Sequence, residues 1–309
     1  MKYIVLVFLG ACSYGILSTF VKIAYDNGFT VGEVVGSQAL IGLLMTWIYA
    51  LAYPRVAKSV KTVTRTKIKP SQVLKLIAVG TTAGSTSIVY YGALQYITAS
   101  LAIILLFQFT WLGVLLEAIV NRKRPESAKV YALIVLLIGT VFASGISGNS
   151  LHGVSWIGIG LGLLSAISYT LFIFFSGKVA VELSAATRTA LMLTGAAVLI
   201  MIVFPPLFLI NGSLSQGLWI WGGLIAFFGA LIPPLFFNIG VPHIGSGLAT
   251  ILGAAELPVA VSMAFIVLHE SVTVVQWISV VVILIGVALP ELLQIRNRRG
   301  EKENGATNP

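Results

Sequence analysis

Residues 248–268 read LATILGAAELPVAVSMAFIVL, an apolar run in which Glu256 is the only charged side chain. A helix of about 20 apolar residues is long enough to cross the ~30 Å hydrocarbon core of a bilayer, so this run predicts a transmembrane helix. A carboxylate near the centre of such a helix is costly in lipid. Glu256 must therefore face the interior of a helix bundle or water.

The sequence contains nine further apolar stretches of this kind. The ten predicted spans are Tyr3–Ile23, Val34–Tyr53, Leu76–Gln95, Thr98–Val120, Val130–Ile146, Val154–Phe175, Thr189–Ile210, Leu218–Ile239, Leu248–Leu268 and Val274–Leu293. Only 9% of the residues are charged, whereas about a quarter are charged in soluble domains. The sequence therefore predicts an all-α, polytopic membrane protein with ten transmembrane helices in the lipid bilayer.

The basic residues fall on one side of these spans. If the N-terminus is cytoplasmic, all 19 Lys and Arg residues except Lys22 lie in or beside cytoplasmic segments. The linker before the third span holds Lys58, Lys61, Arg65 and Lys67, for example. Because basic residues near span ends resist translocation, both termini are predicted to be cytoplasmic in a multi-pass protein of the cell membrane. The net charge of +9 is then a topology signal, and no nucleic-acid partner is expected.

The chain contains two weakly similar halves. Residues 99–102, ASLA, align with residues 246–249, SGLA, at an offset of about 147 residues that also relates other spans of the two halves. Five spans is an odd number, so the second copy enters the bilayer from the opposite side. We predict inverted five-helix repeats at 1–149 and 150–293, and a short, disordered cytoplasmic tail at 294–309. Inverted repeats are typical of alternating-access carriers that bind substrate between the repeats.

Two motifs resemble those of a known family. Tyr96-Ile97-Thr98-Ala99-Ser100-Leu101-Ala102 resembles the repeat motif of the EamA-like branch of the drug/metabolite transporter superfamily, and Glu256, Pro258 and His269-Glu270 are similar to its second-repeat pattern. The resemblance covers residues 3–293 and implies a ten-helix inverted repeat that moves small metabolites. The chain departs from the family pattern at Leu257, which separates Glu256 from Pro258, and at Thr110, where the family has proline.

Polar and aromatic side chains at mid-depth form the candidate site. By the repeat offset, Gln108 reaches the depth of Glu256 from the other half. The predicted substrate-binding residues are Gln108, Glu256, Trp111, Tyr91, Ser87, Tyr14 and Tyr169. Glu256 either binds a substrate amine or takes up a proton during transport, with a hydrogen bond at a helix break as the structural alternative. For Gln108 the alternative is a bridge between helices. An aromatic, largely neutral pocket suits a small amphiphilic or zwitterionic solute.

Three prolines are predicted hinges. Pro233 and Pro234 lie deep in the eighth span, where two missing N–H donors must bend or interrupt the helix. Asn238, one turn on, is placed to satisfy a freed carbonyl. Pro258 lies beside Glu256. Broken helices in transporters mark sites or hinges, and a plain packing kink is the alternative for each.

The chain lacks the motifs of other function classes. It has no phosphate-binding Gly-rich loop followed by Lys and Ser or Thr, and its three His residues and single Cys form no cluster. We therefore expect no metal, no cofactor and no enzyme activity. The predicted function is secondary active transport of a small-molecule substrate, amino acids or amphiphilic solutes, with export favoured. The alternatives are a sugar uptake carrier, a channel-like pore and a membrane-embedded enzyme, and the coupling ion and oligomeric state stay open.

Overall fold

The structure, a computed structural model, describes residues 1–57, 68–93, 95–97, 99–143, 155–269 and 272–306. Within these ranges the regular structure is entirely helical. The α-helices are α1 (Lys2–Asp26), α2 (Val31–Ala57), α3 (Pro70–Ala93), α4 (Ala99–Leu106), α5 (Phe109–Asn121), α6 (Ser127–Ala143), α7 (Trp156–Ser176), α8 (Ala185–Val203), α9 (Trp219–Ile225), α10 (Ile232–Ile244), α11 (Ser246–Gly253), α12 (Glu256–Val267) and α13 (Val274–Ala306). The all-α prediction is confirmed.

Most of these helices have the length and composition of membrane spans. In the described ranges, 8 helical stretches are long and apolar enough to cross a bilayer: Lys2–Asp26, Val31–Ala52, Pro70–Ala93, Leu101–Asn121, Trp156–Ser176, Ala185–Val203, Leu214–Ile244 and Ser246–Val267. The shorter apolar helices Ser127–Phe142 and Val274–Pro290 lie where the fifth and tenth spans were predicted. The chain is therefore a multi-pass membrane protein.

The fourth and ninth predicted spans are each broken once. A turn at Phe107 and Gln108 separates α4 from α5, and a turn at Ala254 and Ala255 separates α11 from α12. The offset that aligns the two halves also carries the first break onto the second. Glu256 is consequently the first residue of α12. Pro258 lies in the first turn of α12, where a missing N–H removes no intrahelical bond, so the discontinuity precedes this proline.

Helices from the two halves pack against each other throughout the bundle. α3 packs against α7 and α8, whereas α1 and α2 pack against the stretch Leu214–Ile244. α5 packs against α11, and α6 against α13. Glycines allow the closest approaches: a methyl group added at Gly84 would lie 2.9 Å from the Ala196 carbonyl oxygen of α8. The halves therefore share one core instead of forming separate bundles.

The end of the seventh predicted span is corrected. The seventh span was expected to reach Ile210, but α8 ends at Val203. Pro205 and Pro206 follow, and the residue before a proline is disfavoured in the helical conformation; Phe204 accordingly has φ −116° and ψ 89°.

The last helix extends beyond the tenth predicted span. α13 continues to Ala306, within the segment from residue 294 onward that was predicted to be a disordered tail. Arg, Glu and Lys have good helix propensity and extend a helix that is already nucleated. Lys58, Lys61, Arg65 and Lys67 of the basic linker, and Glu270 of the second family motif, lie outside the described residues.

Candidate functional site

Glu256 lies where the second broken span meets α1. Gly15 of α1 is so close that an added methyl group would lie 2.5 Å from the Glu256 carbonyl oxygen and 2.7 Å from Cβ of Val259. The Glu256 side chain is only partly exposed. It interacts electrostatically with Tyr14 and Tyr169, and it forms no hydrogen bond or ion pair with the described residues. The structure thus brings together Glu256, Tyr14 and Tyr169 from the predicted set.

Tyr169, which interacts electrostatically with this carboxylate, belongs to a cluster of aromatic rings. The Tyr169 ring makes edge contacts with the rings of Phe109 (centroids 4.7 Å apart) and Tyr14 (6.1 Å). It stacks on Phe172 with centroids 6.3 Å apart. The Tyr169 hydroxyl is buried and has no hydrogen-bond partner among the described residues. An aromatic wall therefore carries one uncommitted hydroxyl group beside an unpaired carboxylate.

Ser18 of α1 is exposed on the side of the helix that carries Tyr14. We call the end of the bundle with Lys2 and His243 the terminal face, and the end with Asp26 the opposite face. Val5 and Leu9 expose large apolar side chains, as expected of a lipid-facing surface. Ser18 lies nine residues after Leu9, and a rotation of about 100° per residue places the two half a turn apart on the helix. The exposed Ser18 is therefore on the side of α1 away from Leu9, one turn from Tyr14 toward the opposite face.

The side chains of Gln108 and Trp111 form a hydrogen bond with each other at the first break. The Gln108 amide nitrogen donates to the Ile104 carbonyl (2.9 Å), and its oxygen accepts from Trp111 Nε1 (2.7 Å). Phe109, the next residue, covers the second broken span: an added methyl group at Gly253 would lie 3.0 Å from its ring. The first break therefore borders the site, while the polar atoms of Gln108 and Trp111 are engaged locally.

One face of α3 packs against another helix. Gly80 and Gly84 lie against the backbone of α8, and Tyr91 packs in a cluster with Ala197 and Ile200. Tyr91, one of the predicted substrate-binding residues, is therefore part of the packing between helices. Ser87 is half-buried on α3.

Two polar residues near the site were missed by sequence reasoning. Tyr90 interacts electrostatically with Glu256 and lies in edge contact with Tyr91 (centroids 5.9 Å apart). Gln38 of α2 is half-buried and forms no hydrogen bond with the described residues. Its amide nitrogen would lie 2.9 Å from a methyl group added at Gly229. The four-residue spacing from Ser87 favoured Tyr91 over its neighbour Tyr90, and the lone Gln38 gave no signal.

Prolines of the eighth span leave backbone carbonyls without an intrahelical donor, and side chains of other helices donate hydrogen bonds to them. The residues before Pro233 form a π-helical segment, Ala226–Leu231. In a π-helix, each backbone carbonyl accepts a hydrogen bond from the N–H group of the residue five positions later. Pro233 has no N–H, and Ser13 Oγ of α1 donates to the Phe228 carbonyl instead (2.7 Å). The expected role of Asn238 is wrong: its amide nitrogen donates to Thr189 Oγ1 at 3.0 Å.

A buried arginine closes the terminal side of the bundle. Arg188 of α8 is 1% exposed and donates to the carbonyls of Ser176 and Asn238, the latter at 2.9 Å. Pro242, four residues after Asn238, cannot supply the usual intrahelical donor to that carbonyl. Arg188 was predicted only as a topology signal. The sequence clue to its position is a proline one turn after a mid-span asparagine.

A cavity of about 280 Å³ lies at the terminal face, away from Glu256. It is bordered by Glu117 of α5 and Lys129 of α6, which form an ion pair at 3.0 Å. In the part of the chain that the structure describes, His, Cys, Asp and Glu form no group able to hold a metal ion. The chemistry available at Glu256 is therefore that of one carboxylate and several tyrosines.

Comparison with known proteins agrees with this architecture. The model of the EamA-like transporter family matches residues 1–145 and 156–290, the two halves described above. A solved structure described only as the crystal structure of a protein is 17% identical, with a TM-score of 0.73, over 95% of this chain and 99% of its own. That likeness concerns the fold. No curated protein matches the chain. The chain belongs to the EamA-like transporter family.

Proposed function

We propose that the protein is a secondary active transporter that moves small metabolites across the cell membrane by alternating access between two inverted five-helix repeats. The observation that carries the proposal is the carboxylate of Glu256, which lies at a helix break and forms no hydrogen bond or ion pair with the described residues. On the terminal side, Arg188 and the buried rings of Phe109, Phe172 and Phe237 fill the bundle.

The packing of the two halves supports the inverted arrangement. Each span of one half has a counterpart five spans away in the other half. The counterparts of α3 and α7 are the stretch Leu214–Ile244 and α1. Both pairs of helices pack against each other. The same correspondence relates the two broken spans, which lie against each other through α5 and α11. A carrier with this symmetry opens to either side by exchanging the conformations of its halves.

The orientation that we propose has the terminal face in the cytoplasm, as the basic residues predict. The candidate substrates are amino acids or amphiphilic solutes, as the sequence predicts, and export is the favoured direction. Sugar uptake is the second candidate. The buried side chains of Arg188, Phe109, Phe172 and Phe237 disfavour a channel-like pore, which needs a continuous path.

Glu256 is the candidate for proton coupling as well as for substrate binding. The titratable groups that interact electrostatically with it are Tyr14 on α1, Tyr90 on α3 and Tyr169 on α7. The helices α5, α7, α11 and α12 contain no Lys or Arg. A proton or a cationic solute can therefore neutralise the Glu256 carboxylate without competition from these helices.

Counterflow in proteoliposomes tests the proposal. Liposomes loaded with one unlabelled solute from a panel of amino acids, sugars and cationic drugs should accumulate the labelled form of that solute transiently, and uptake should saturate. Glu256→Gln should abolish any dependence of the flux on a pH gradient, because the amide cannot take up a proton. Unchanged pH-dependent flux in this variant would exclude the coupling role. Flux that rises without saturation would indicate a pore.

A further inference from the structure

The charge balance around Glu256 restricts what can bind there. No cation of the described residues pairs with its carboxylate. Lys22 lies eight residues beyond Tyr14 on α1, about 12 Å along the helix axis, at the opposite face. Arg188 is committed to the carbonyls of Ser176 and Asn238. A solute that fills the site therefore meets one negative charge and no positive one.

The groups that neighbour the carboxylate are suited to a cation. Tyr14 precedes Gly15, which packs against the Glu256 backbone, and the Tyr14 ring contacts the Tyr169 ring. Tyr14, Tyr90 and Tyr169 come from three different helices, and each interacts electrostatically with Glu256. The faces of aromatic rings attract ammonium groups, and the attraction grows when water is excluded. Phe109 and Phe172, which contact Tyr169, add apolar surface. Rings around a single carboxylate form a site for an ammonium group on an apolar body.

We propose that Glu256, Tyr14, Tyr90 and Tyr169 form the subsite for the ammonium group of the substrate, and that the preferred substrates are organic monocations with a compact aromatic or apolar body. This inference rests on the proposed transport function and specifies its substrate class. An amino acid brings a carboxylate next to Glu256, with no protein cation to balance it. Neutral solutes and anions leave the Glu256 charge without a partner.

Equilibrium binding to the purified protein in lipid nanodiscs tests the subsite. The probes are phenethylamine, its neutral counterpart 2-phenylethanol, and phenylalanine, which adds a carboxylate to the amine. We expect phenethylamine to bind at least about tenfold more tightly than 2-phenylethanol. Phenylalanine should bind more weakly than phenethylamine. Equal affinity for phenethylamine and 2-phenylethanol, or tighter binding of phenylalanine, would overturn the proposal.

Matched variants separate the roles of charge and ring. Glu256→Gln should weaken phenethylamine binding by more than about tenfold and leave 2-phenylethanol binding within about twofold. Asp26→Asn removes the same charge from the exposed end of α1 and should change neither affinity. Tyr90→Phe keeps the ring and should bind phenethylamine like the wild type, whereas Tyr90→Leu should weaken binding between about twofold and thirtyfold. Equal effects of the two Tyr90 changes would contradict the role of the ring.

Counterflow of the same probes distinguishes the two proposals. Binding of phenethylamine that depends on Glu256, without counterflow of any solute in the panel, would support the ammonium subsite and overturn the transport function. Saturable counterflow of a sugar or another neutral solute, without binding of phenethylamine, would leave the transport function standing and overturn the subsite. Unfolding temperatures of all variants show whether each is folded.

Discussion

Single side chains from neighbouring helices replace the hydrogen bonds that prolines remove. Ser13 takes the Phe228 carbonyl that Pro233 leaves free, and Arg188 takes the Asn238 carbonyl that Pro242 leaves free. In lipid an unsatisfied backbone carbonyl costs several kcal/mol, because no water is available to replace the donor. Each proline therefore makes its helix dependent on one residue of another span.

Ser13→Ala tests this dependence. The substitution leaves the Phe228 carbonyl without a donor, and we expect it to lower the free energy of unfolding by about 1–3 kcal/mol. Ser18→Ala is the matched control, because the Ser18 hydroxyl is exposed and bonds only to the Gly15 carbonyl of its own helix, at 2.7 Å. Thermal unfolding in detergent measures both. Equal unfolding temperatures for the two variants would contradict the role assigned to Ser13.

Gln108 offers a second test at the scale of one residue. Because both ends of its amide are engaged within the first break, we expect Gln108→Ala to lower the free energy of unfolding by about 1–2 kcal/mol. Trp111→Phe, which removes the indole donor alone, should cost less. The apparent affinity in counterflow should stay within about twofold for both variants. A tenfold loss of affinity in Gln108→Ala at unchanged stability would instead place Gln108 in the binding set, as the sequence suggested.

At the scale of elements, α1 holds the second break in place. The absence of a side chain at Gly15 lets α1 lie directly on the backbone of Glu256. Tyr14, the preceding residue, is thereby positioned against the carboxylate and the Tyr169 ring. The distance between α1 and α12 therefore determines the width of the site.

Gly15→Ala should separate these two helices. The new methyl group would meet the Glu256 carbonyl and Val259 at distances that real side chains do not adopt, so we expect a loss of stability and of transport. Gly160→Ala on α7 is the control, because nothing lies within 4 Å of the added methyl group. Alanine is the better helix former by about 1 kcal/mol. Gly160→Ala should therefore unfold at the same or a higher temperature, and wild-type transport by Gly15→Ala would refute the close contact.

At the scale of the whole molecule, the orientation in the membrane can be tested by cysteine labelling. In a Cys12→Ala background, Asn27→Cys at the opposite face should react with a membrane-impermeant maleimide in intact cells. Glu126→Cys at the terminal face should react only after permeabilisation. Both expectations follow from the basic residues at the terminal face. The reverse pattern would show that the N-terminus is exterior.

The architecture could be predicted from sequence because lipid imposes strict rules on composition. Apolar length predicted the spans. Glu256 was singled out as a candidate site residue because a mid-span carboxylate is costly in lipid. Pairings across helices could not be predicted. Tyr90 and Tyr91 differ by one residue, and only the packing of α3 on α8 shows which of them faces Glu256. Arg188 looked like any other basic residue, because its acceptors are backbone carbonyls. Pro242 indicates that the Asn238 carbonyl lacks an intrahelical donor, but not which side chain replaces that donor.

The paired breaks have a mechanical consequence. α4 and α11 each span 8 residues, which makes them rods about 12 Å long. Each is joined to the remainder of its span by a two-residue turn at the same depth. Rotation of four peptide units, two in each turn, would therefore tilt α4 and α11 relative to the remainder of their spans. The long helices around them could stay straight while access to the site changes from one side of the membrane to the other.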